Sequence, residues 1–418
     1  MQGTVMANSF YDDLETRSAD AREAALLAAL PEQIHLAQRS TPAYGLILAG
    51  IDPMSIASRE ALAALPVTRK SNLTELQGRE PPFGGFSAVP PGGLARIFAS
   101  PGPIFDPEAR RADYWRFARA LFATGLRTGD VLHNCFSYHF TPAGSMFESG
   151  AHALGCAVFP AGTGNTELQV QAIAAVRPAA YAGTPDYLKI ILEKADETGA
   201  DLSSLRLGHV TGGAFMPDVK RFYQNRGLEV FQSYGTADLG MVAYESAARE
   251  GLILDEHVIV EIVRPGTGDP VADGEVGEIV VTVLNRDYPL VRFATGDLSA
   301  FMPGSSPCGR TNRRIRGWLG RADQTTKVKG MFVHAGQIAD VLKRHPEVLR
   351  GRLVVDRADG ADAMVLKAEA ADTGTGLAES LAASLTSVTK LKGGVEIVSP
   401  GTLPNDGKVI EDLRKYEG

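Results

Sequence analysis

The chain has 418 residues, of which 44% are hydrophobic and 22% charged, and its formal net charge is −7. This length predicts two or more domains, and the scattered basic residues give no electrostatic footprint for nucleic acid. Three widely separated cysteines, no long apolar run and no basic, apolar-cored leader favour a cytoplasmic protein without disulfides or a membrane segment.

The pattern of apolar residues predicts helices over residues 14–38, with an interruption at Pro31. Residues 75–107 are rich in Gly and Pro, which predicts a loop with one short strand at 94–100. From residue 114 onward to the region of residue 229, strand and helix patterns alternate, which favours a mostly parallel sheet covered by helices. Short β-rich runs over 252–285 then predict antiparallel strands.

A domain boundary is predicted near residue 323, which gives an N-terminal domain over 1–322 and a small C-terminal domain over 323–418. Beyond this boundary the pattern reads hairpin, helix, strand, strand, helix, strand, which is enough for a separate α+β domain. The predicted fold class is therefore α/β. A large body of mostly parallel sheets with helices carries a β subdomain and is followed by a small, mobile α+β domain.

Three short motifs contain the residues that suit nucleotide chemistry: YPLVRFATGDLS at 288–299, GRADQTTKVKGMFVHAGQI at 320–338 and GTLPNDGK at 401–408. Asp297 follows a glycine, where a carboxylate either serves a turn or accepts hydrogen bonds from two sugar hydroxyls. Arg321 is either a surface ion-pair partner or a rigid fork for ribose or phosphate oxygens. Lys408 follows a turn-forming stretch, so a loop tip could present it as a point charge to a reacting phosphate.

In order and spacing these motifs resemble the adenylate-forming enzymes, and within them the phenylacetate–CoA ligase family, over nearly the whole chain. The resemblance implies that ATP activates a carboxylic acid to acyl-AMP and that coenzyme A then takes the acyl group. It also implies roles for four residues: Asp297 binds the ribose, Arg321 contacts the nucleotide, Asp323 is the hinge of the small domain, and Lys408 touches the substrate carboxylate and the α-phosphate.

The segment FQSYGTADLG matches the nucleotide-binding pattern of this family in part. Tyr234 corresponds to a ring that stacks on adenine, and Gly235 follows it. Thr236 is followed by Ala237, where the family has a hydroxyl, and Asp238 replaces the glutamate that holds Mg²⁺, one methylene shorter. Upstream, the segment that packs against adenine corresponds to Gly212, Gly213 and Ala214.

The phosphate loop departs furthest from the family pattern. Ser100 and Gly102 remain of a stretch rich in Ser, Thr and Gly, but its threonines and its lysine are absent. Asp106 and Glu108 add negative charge, which is unfavourable beside a polyphosphate unless a metal ion intervenes. Phosphate contacts then come from elsewhere, with Arg110 and Arg111 as candidates, or ATP binds poorly or not at all.

The segment over residues 133–155 corresponds to the wall of the acyl pocket. The residues that would shape a flat slot for an aryl group are Phe136, Tyr138, His139 and Gly144. An ordinary buried helix start with aromatic packing explains these residues equally well. Some relatives carry a structural zinc, but here Cys308 stands alone among the expected ligands, so no zinc is predicted.

Three functions remain open on these residues. The first is an AMP-forming acid–CoA ligase for an aromatic acid, which needs ATP, Mg²⁺ and coenzyme A. The altered phosphate loop favours a second, an ATP-independent transfer of an acyl group between the thiols of coenzyme A and a carrier protein. The third is a non-catalytic protein that binds AMP, coenzyme A or an aryl acid. The resemblance also implies a homodimer.

Overall fold

The computed structural model describes residues 9–100, 103–322, 325–329, 331–358, 361–371, 376–404 and 409–414. The chain divides into two compact units. The larger unit comprises Met1–Thr295 and Ser299–Trp318, and the smaller comprises Gly296–Leu298 and Leu319–Gly418. Among the described residues, no helix is both long and apolar enough to cross a membrane.

The first part of the larger unit is built from helices and short strands. In chain order these are α1 (Ala19–Ser40), α2 (Pro42–Ile47), α3 (Arg59–Ala63), β1 (Thr68–Arg69), α4 (Leu73–Arg79), β2 (Arg96–Ser100) and β3 (Ile104–Glu108).

The predicted interruption at Pro31 is wrong, because α1 continues through it for 22 residues. The Ser18 side chain accepts a hydrogen bond from the Ala21 amide and begins the helix. Pro31 lacks an N–H and loses one helical hydrogen bond. It is buried beside Leu30 and Ile34, both fully buried in the core, and this packing offsets the loss.

The loop predicted over residues 75–107 is also partly wrong. Besides α4 and the predicted strand, it contains β3, which pairs antiparallel with β2. Within the described residues β2 and β3 form a sheet of two strands only. Each strand of such a ribbon leaves one edge unpaired, and an unpaired edge tolerates a proline such as Pro107.

Alternating strands and helices follow, as the sequence predicts. They are α5 (Phe117–Thr124), β4 (Val131–Asn134), α6 (Ala143–Ala153), β5 (Ala157–Phe159), α7 (Thr166–Val176), β6 (Ala180–Gly183), α8 (Pro185–Thr198), β7 (Leu207–Val210) and α9 (Pro217–Gln224).

A third set of elements is almost entirely strand. It consists of β8 (Glu229–Thr236), β9 (Gly240–Glu245), β10 (Leu252–Leu254), β11 (Val258–Val263), β12 (Gly277–Val283), β13 (Phe293–Ser299), β14 (Phe301–Met302) and β15 (Arg314–Ile315).

The strands of the larger unit form one large mixed sheet and one smaller sheet. Within the described residues the large sheet has nine strands in the order β14-β15-β10-β9-β8-β7-β6-β4-β5. The run from β5 to β8 is parallel, and β9 and β10 continue it antiparallel. The smaller sheet has the order β1-β13-β12-β11. Both the mostly parallel body and the antiparallel strands over 252–285 are therefore confirmed.

The smaller unit contains β16 (Thr325–Val328), β17 (Met331–His334), α10 (Ala335–Lys343), β18 (Val348–Ala358), β19 (Ala361–Ala370), α11 (Leu377–Thr389), β20 (Gly394–Val398) and β21 (Ile410–Asp412). Its larger sheet has the order β20-β19-β18-β21, and its core includes Val333, Ile338, Leu366 and Leu385. The element order agrees with the predicted order, except that β21 was not predicted. A boundary at residue 323 stays a prediction.

Candidate active site

The candidate site of the larger unit lies where parallel strands end. Chain segments that follow β4, β7 and β8 meet at one edge of the sheet, the usual position of ligand sites in α/β proteins. Thr211, after β7, donates its hydroxyl hydrogen to the Ser233 carbonyl oxygen in β8 at 2.8 Å. This bond holds the TGGA segment against the SYGT segment.

The adenine-binding residues predicted from the sequence lie on these two segments. Gly212, Gly213 and Ala214 are exposed in the loop after β7. Tyr234 is buried, and its hydroxyl donates to the Thr295 hydroxyl at 3.1 Å. Gly235 lies at an irregularity of the β8–β9 pairing. A Cβ there would come within 2.6 Å of the Gly240 carbonyl oxygen, so the close approach requires glycine.

Asp238 lies in the tight turn between β8 and β9. The hydroxyl of Thr236 accepts a hydrogen bond from the Leu239 amide at 3.1 Å, which closes this turn and commits the hydroxyl to the backbone. Gly240 ends the turn with a φ of 72°. The turn places the Asp238 carboxylate in the interior, and Asp238 is only 3% exposed.

Lys70 forms an ion pair with Asp238. Lys70 was not predicted from the sequence to be a site residue. It follows β1, and its Nζ lies 2.5 Å from Asp238 Oδ2. Oδ1 of the same carboxylate is buried without a hydrogen-bond partner. An oxygen of this kind suits a hard cation, so Asp238 fits the predicted magnesium ligand.

Asp106 is a second acid beside this pair. It is fully buried in β3, and within the described residues neither carboxylate oxygen has a donor at normal hydrogen-bond geometry. Burial first, and then the negative charge of Asp238, raise the pKa of Asp106 well above its usual value, while Lys70 and Ser100 oppose the rise. We call Asp106, Asp238, Lys70 and Ser100 the Asp106 cluster.

The described part of the phosphate-loop region offers few donors for a polyphosphate. Ser100 is buried at the end of β2, and its hydroxyl donates to the Ile104 carbonyl oxygen at 3.3 Å. Arg111 donates to Asn285 Oδ1 at 3.0 Å and lies 3.5 Å from Asp287, so it already has partners. Arg110 is exposed. Gly102 lies outside the described residues.

Phe136 is the aromatic residue that faces the glycine segment. It is buried and stacks on Phe147 with ring centroids 4.7 Å apart. A Cβ on Gly212 would lie 3.9 Å from Cε1 of Phe136, so the ring and the TGGA segment are direct neighbours. The predicted aromatic wall and the predicted adenine segment therefore adjoin.

Of the other predicted pocket residues, Tyr138 and Gly144 make contacts that fix the loop after β4, and His139 is exposed on that loop. Asn134 donates from Nδ2 to the Tyr138 hydroxyl and to the Gly144 carbonyl oxygen, each at 2.9 Å. A Cβ on Gly144 would come within 2.6 Å of the Ser137 carbonyl oxygen, so glycine is required there. His139 is exposed.

His209 lies behind the aromatic wall and was not predicted. Its ring centroid is 5.4 Å from that of Phe147, and burial lowers its pKa to about 3, so the ring is neutral. Thr124 donates its hydroxyl hydrogen to the Ala120 carbonyl and therefore accepts from His209 Nδ1 at 2.7 Å. From the sequence alone, a single histidine in a β-strand cannot be assigned to a position behind the aromatic wall rather than to ordinary core packing.

In the smaller unit, Asp297 and Arg321 form a bridge between two chain segments. Arg321 Nη1 lies 3.2 Å from Asp297 Oδ1. Gly296 has a φ of 77°, and a Cβ there would come within 2.6 Å of Arg321 Nη2. The two residues that the sequence assigned to the nucleotide are therefore in contact. Asp323 and Lys408 lie outside the described residues.

The surroundings of Cys308 do not fit a zinc ion. Burial raises the pKa of this thiol, but hydrogen bonds with Ser246, Ser306 and Arg310 outweigh burial, and the pKa is lowered. Arg310 in turn lies 3.0 Å from Glu15 Oε2. The neighbours of the sulfur are two hydroxyls and a cation, whereas a structural zinc site requires thiolate and imidazole ligands.

Comparison with known proteins agrees with this architecture. The model of the AMP-binding enzyme family matches residues 111–283. The phenylacetate-coenzyme A ligase of Thermus thermophilus is 32% identical over 381 residues, which cover 87% of this chain and 84% of the relative. The phenylacetate-coenzyme A ligase of Escherichia coli K12 is 29% identical over 444 residues, covering 99% of this chain and 100% of the relative.

Among solved structures, an open conformation of 2-hydroxyisobutyryl-CoA ligase in complex with 2-HIB-AMP and CoA has the same fold. Its TM-score is 0.85 at 24% identity, over 98% of this chain and 95% of that chain. The Thermus relative is similar enough in sequence, over enough of both chains, to show the family as well as the fold. The chain belongs to the phenylacetate–CoA ligase family of adenylate-forming, AMP-binding enzymes.

Proposed function

We propose that this AMP-forming ligase activates an arylacetic acid of the phenylacetate type and transfers the acyl group to coenzyme A. The position of the Phe136 ring next to the Gly212 segment carries the choice of an aromatic acid. It sets a flat apolar surface directly beside the segment assigned to adenine. The name shared by the curated relatives supports the same substrate class.

The reaction has two steps. A carboxylate oxygen of the acid attacks the α-phosphorus of ATP. The bond between the α-phosphorus and the oxygen that bridges it to the β-phosphorus breaks, and pyrophosphate leaves. The sulfur of coenzyme A then attacks the acyl carbonyl carbon, the acyl–phosphate bond breaks, AMP leaves, and the thiol proton passes to solvent. Each step forms one bond for the one that it breaks, so no oxidant or reductant is needed.

The proposed roles follow the contacts of the described residues. Asp238, whose buried Oδ1 has no donor among the described residues, would hold Mg²⁺, and the ion would supply charge that stabilises the pyrophosphate leaving group. Tyr234 lies against the adenine, and Asp297 and Arg321 contact the ribose and phosphate. Three further points stay predictions: the contact of Lys408 with the α-phosphate, the hinge at Asp323 and a homodimer.

One observation favours a second candidate, the ATP-independent transfer of an acyl group between thiols. Asp106 brings a carboxylate next to Asp238 at the place where the family binds phosphates. Without a metal ion two adjacent carboxylates repel a polyphosphate. In that function the acyl group would move from coenzyme A to a carrier-protein thiol with no release of pyrophosphate.

A pyrophosphate-release screen over phenylacetate, substituted arylacetates, benzoates and short aliphatic acids tests the proposal. We expect release with an arylacetate, and formation of its CoA thioester when coenzyme A is added. Phe136→Leu should lower kcat/KM for the arylacetate by about tenfold, the usual effect of reshaping an apolar pocket.

Phe140→Leu is the matched control, because Phe140 belongs to the same loop but is 80% exposed. Equal losses in both variants would contradict the role of Phe136. Acyl exchange between thiols in the absence of ATP, without any pyrophosphate release, would replace the ligase by the transferase.

A further inference from the structure

Among the described residues, three carboxylate oxygens of the Asp106 cluster are buried without a donor at normal hydrogen-bond geometry. They are Oδ1 and Oδ2 of Asp106 and Oδ1 of Asp238. A single unsatisfied buried acceptor destabilises the fold, and a charged one does so more strongly. Three of them in one place are hard to explain by packing, since apolar residues of similar size would avoid the cost.

The charges of the cluster would suit a divalent cation. Asp106 and Asp238 carry up to two negative charges, and Lys70 supplies one positive charge at 2.5 Å from Asp238 Oδ2. One ammonium beside two adjacent carboxylates leaves the pair one positive charge short when both are ionised. A divalent ion accepts oxygen ligands of this type, and Mg²⁺ commonly takes one or two protein carboxylates and completes its shell with water and substrate phosphates.

The position of Asp106 connects this ion to the phosphate loop. Asp106 lies in β3, which follows the loop directly, and Ser100 lies at the end of β2, which precedes it. The loop lacks the lysine and the threonines that hold phosphate in related enzymes. An ion between Asp106 and Asp238 would bring positive charge close to Ser100, where the loop begins.

We propose that Asp106 and Asp238 together ligate one divalent cation, and that this cation provides the phosphate-binding charge that the loop, without its lysine, does not supply. The role in phosphate binding rests on the proposed ligase function, whereas the cation site itself does not. Asp238 alone corresponds to the metal position expected from the family. Asp106 is the ligand that the structure adds.

Lys70 competes with the cation for the same carboxylate. In the absence of metal its ammonium lies on Oδ2 of Asp238, so a divalent ion must displace it or share the group. Removal of the ammonium therefore has a defined effect. It raises the affinity for the ion, while loss of the Asp106 carboxylate lowers it.

The test is a titration of the full-length protein with Mn²⁺ alone, with free Mn²⁺ measured by electron paramagnetic resonance. We expect one saturable site in the wild type. Asp106→Asn should weaken it by about tenfold or more, because loss of even an outer-shell partner of a ligand costs about 10–100-fold. Lys70→Met should bind Mn²⁺ more tightly than the wild type.

Glu108→Gln is the matched control on the same strand. Both oxygens of Glu108 already have partners, Ser145 at 2.8 Å and Arg96 at 3.0 Å, so its loss should leave Mn²⁺ affinity unchanged. Circular dichroism and a thermal melt of each variant show whether it is folded. Asp106→Asn has the same shape as the wild-type residue and removes only charge, so we expect it to fold.

Equal Mn²⁺ affinity in the wild type and Asp106→Asn would overturn the proposal, and so would the absence of saturable binding by the wild type at millimolar Mn²⁺. The ligase function can fail independently. Mn²⁺ binding that depends on Asp106, together with no pyrophosphate release from any acid, would leave the cation site in place and remove the ligase function. Pyrophosphate release with Mn²⁺ binding that ignores Asp106 would do the reverse.

Discussion

Two clusters of buried charge in the larger unit differ in how fully their carboxylates are paired. In the first, which we call the Glu15 cluster, each oxygen of the buried Glu15 has two partners. Oε1 accepts from the Tyr244 hydroxyl at 2.8 Å and lies 3.3 Å from Arg119 Nη1. Oε2 accepts from the Tyr11 amide at 3.1 Å and lies 3.0 Å from Arg310 Nη2. In the Asp106 cluster both oxygens of Asp106 have none.

The difference separates structural charge from functional charge. A buried carboxylate with four partners recovers its lost hydration from the protein, and its geometry is fixed in the folded state. A buried carboxylate with no partner is destabilising by itself, and natural sequences retain such groups where a ligand or reaction needs them. We therefore assign the Glu15 cluster to the structural framework, and we expect the Asp106 cluster to bind a ligand.

The largest effect should follow from breaking the Glu15 cluster. Glu15→Gln leaves the buried Arg310 and Arg119 guanidinium groups without this carboxylate, and removal of one partner of a buried pair costs about 3–5 kcal/mol. Urea unfolding followed by circular dichroism should show a lower midpoint. Glu32→Gln is the control, since its pair with Arg286 is exposed and surface pairs contribute about 0–1 kcal/mol. Similar midpoints for both variants would mean that the Glu15 cluster is not structural.

A smaller effect of opposite sign should follow in the Asp106 cluster. Asp106→Asn removes a buried acidic group and can donate an amide hydrogen to Asp238, so the free energy of unfolding measured in metal-free buffer should rise by about 1 kcal/mol. Glu108→Gln, which weakens existing hydrogen bonds on the same strand, should lower it. The same urea titration checks both. A loss in Asp106→Asn as large as in Glu108→Gln would show that Asp106 is an ordinary structural group.

Asp113 lies between these extremes, and its effect on stability depends on pH. Its two oxygens accept hydrogen bonds from the Ala118 amide, each at 3.2 Å, and burial raises its pKa from 3.8 to about 7. Because the folded-state pKa is the higher one, the folded protein binds more protons between these values than the unfolded chain. The Asp113 contribution to stability therefore falls as pH rises towards 7 and is constant above it.

Asp113→Asn should remove this contribution, so that the difference in stability between the variant and the wild type grows in favour of the variant from acidic to neutral pH. Unfolding free energies measured at a series of pH values test the slope. A constant difference across the series would show that Asp113 keeps an ordinary pKa in the folded protein. The change in the free energy of unfolding can then be compared with the changes measured for the Glu15 cluster and the Asp106 cluster.

Much of the fold could be predicted because it depends on local pattern. The alternation of strands and helices from α5 to α9 and the order of elements in the smaller unit follow from apolar periodicity and turn residues. The errors at Pro31 and in β3 have a common cause. In both places a proline suggested a break, but burial in α1 and an open sheet edge in the ribbon allowed the element to continue.

For the candidate site, the sequence determined which segments matter, because motifs such as SYGTADLG and TGGAF carry their spacing in the chain. Only the tertiary structure decided what lies beside them. Lys70 and Asp238 are separated by 168 positions and form an ion pair at 2.5 Å. Asp106 reaches the same place from a separate ribbon. Partners so distant along the chain leave no local pattern, since burial and pairing are properties of the packed core.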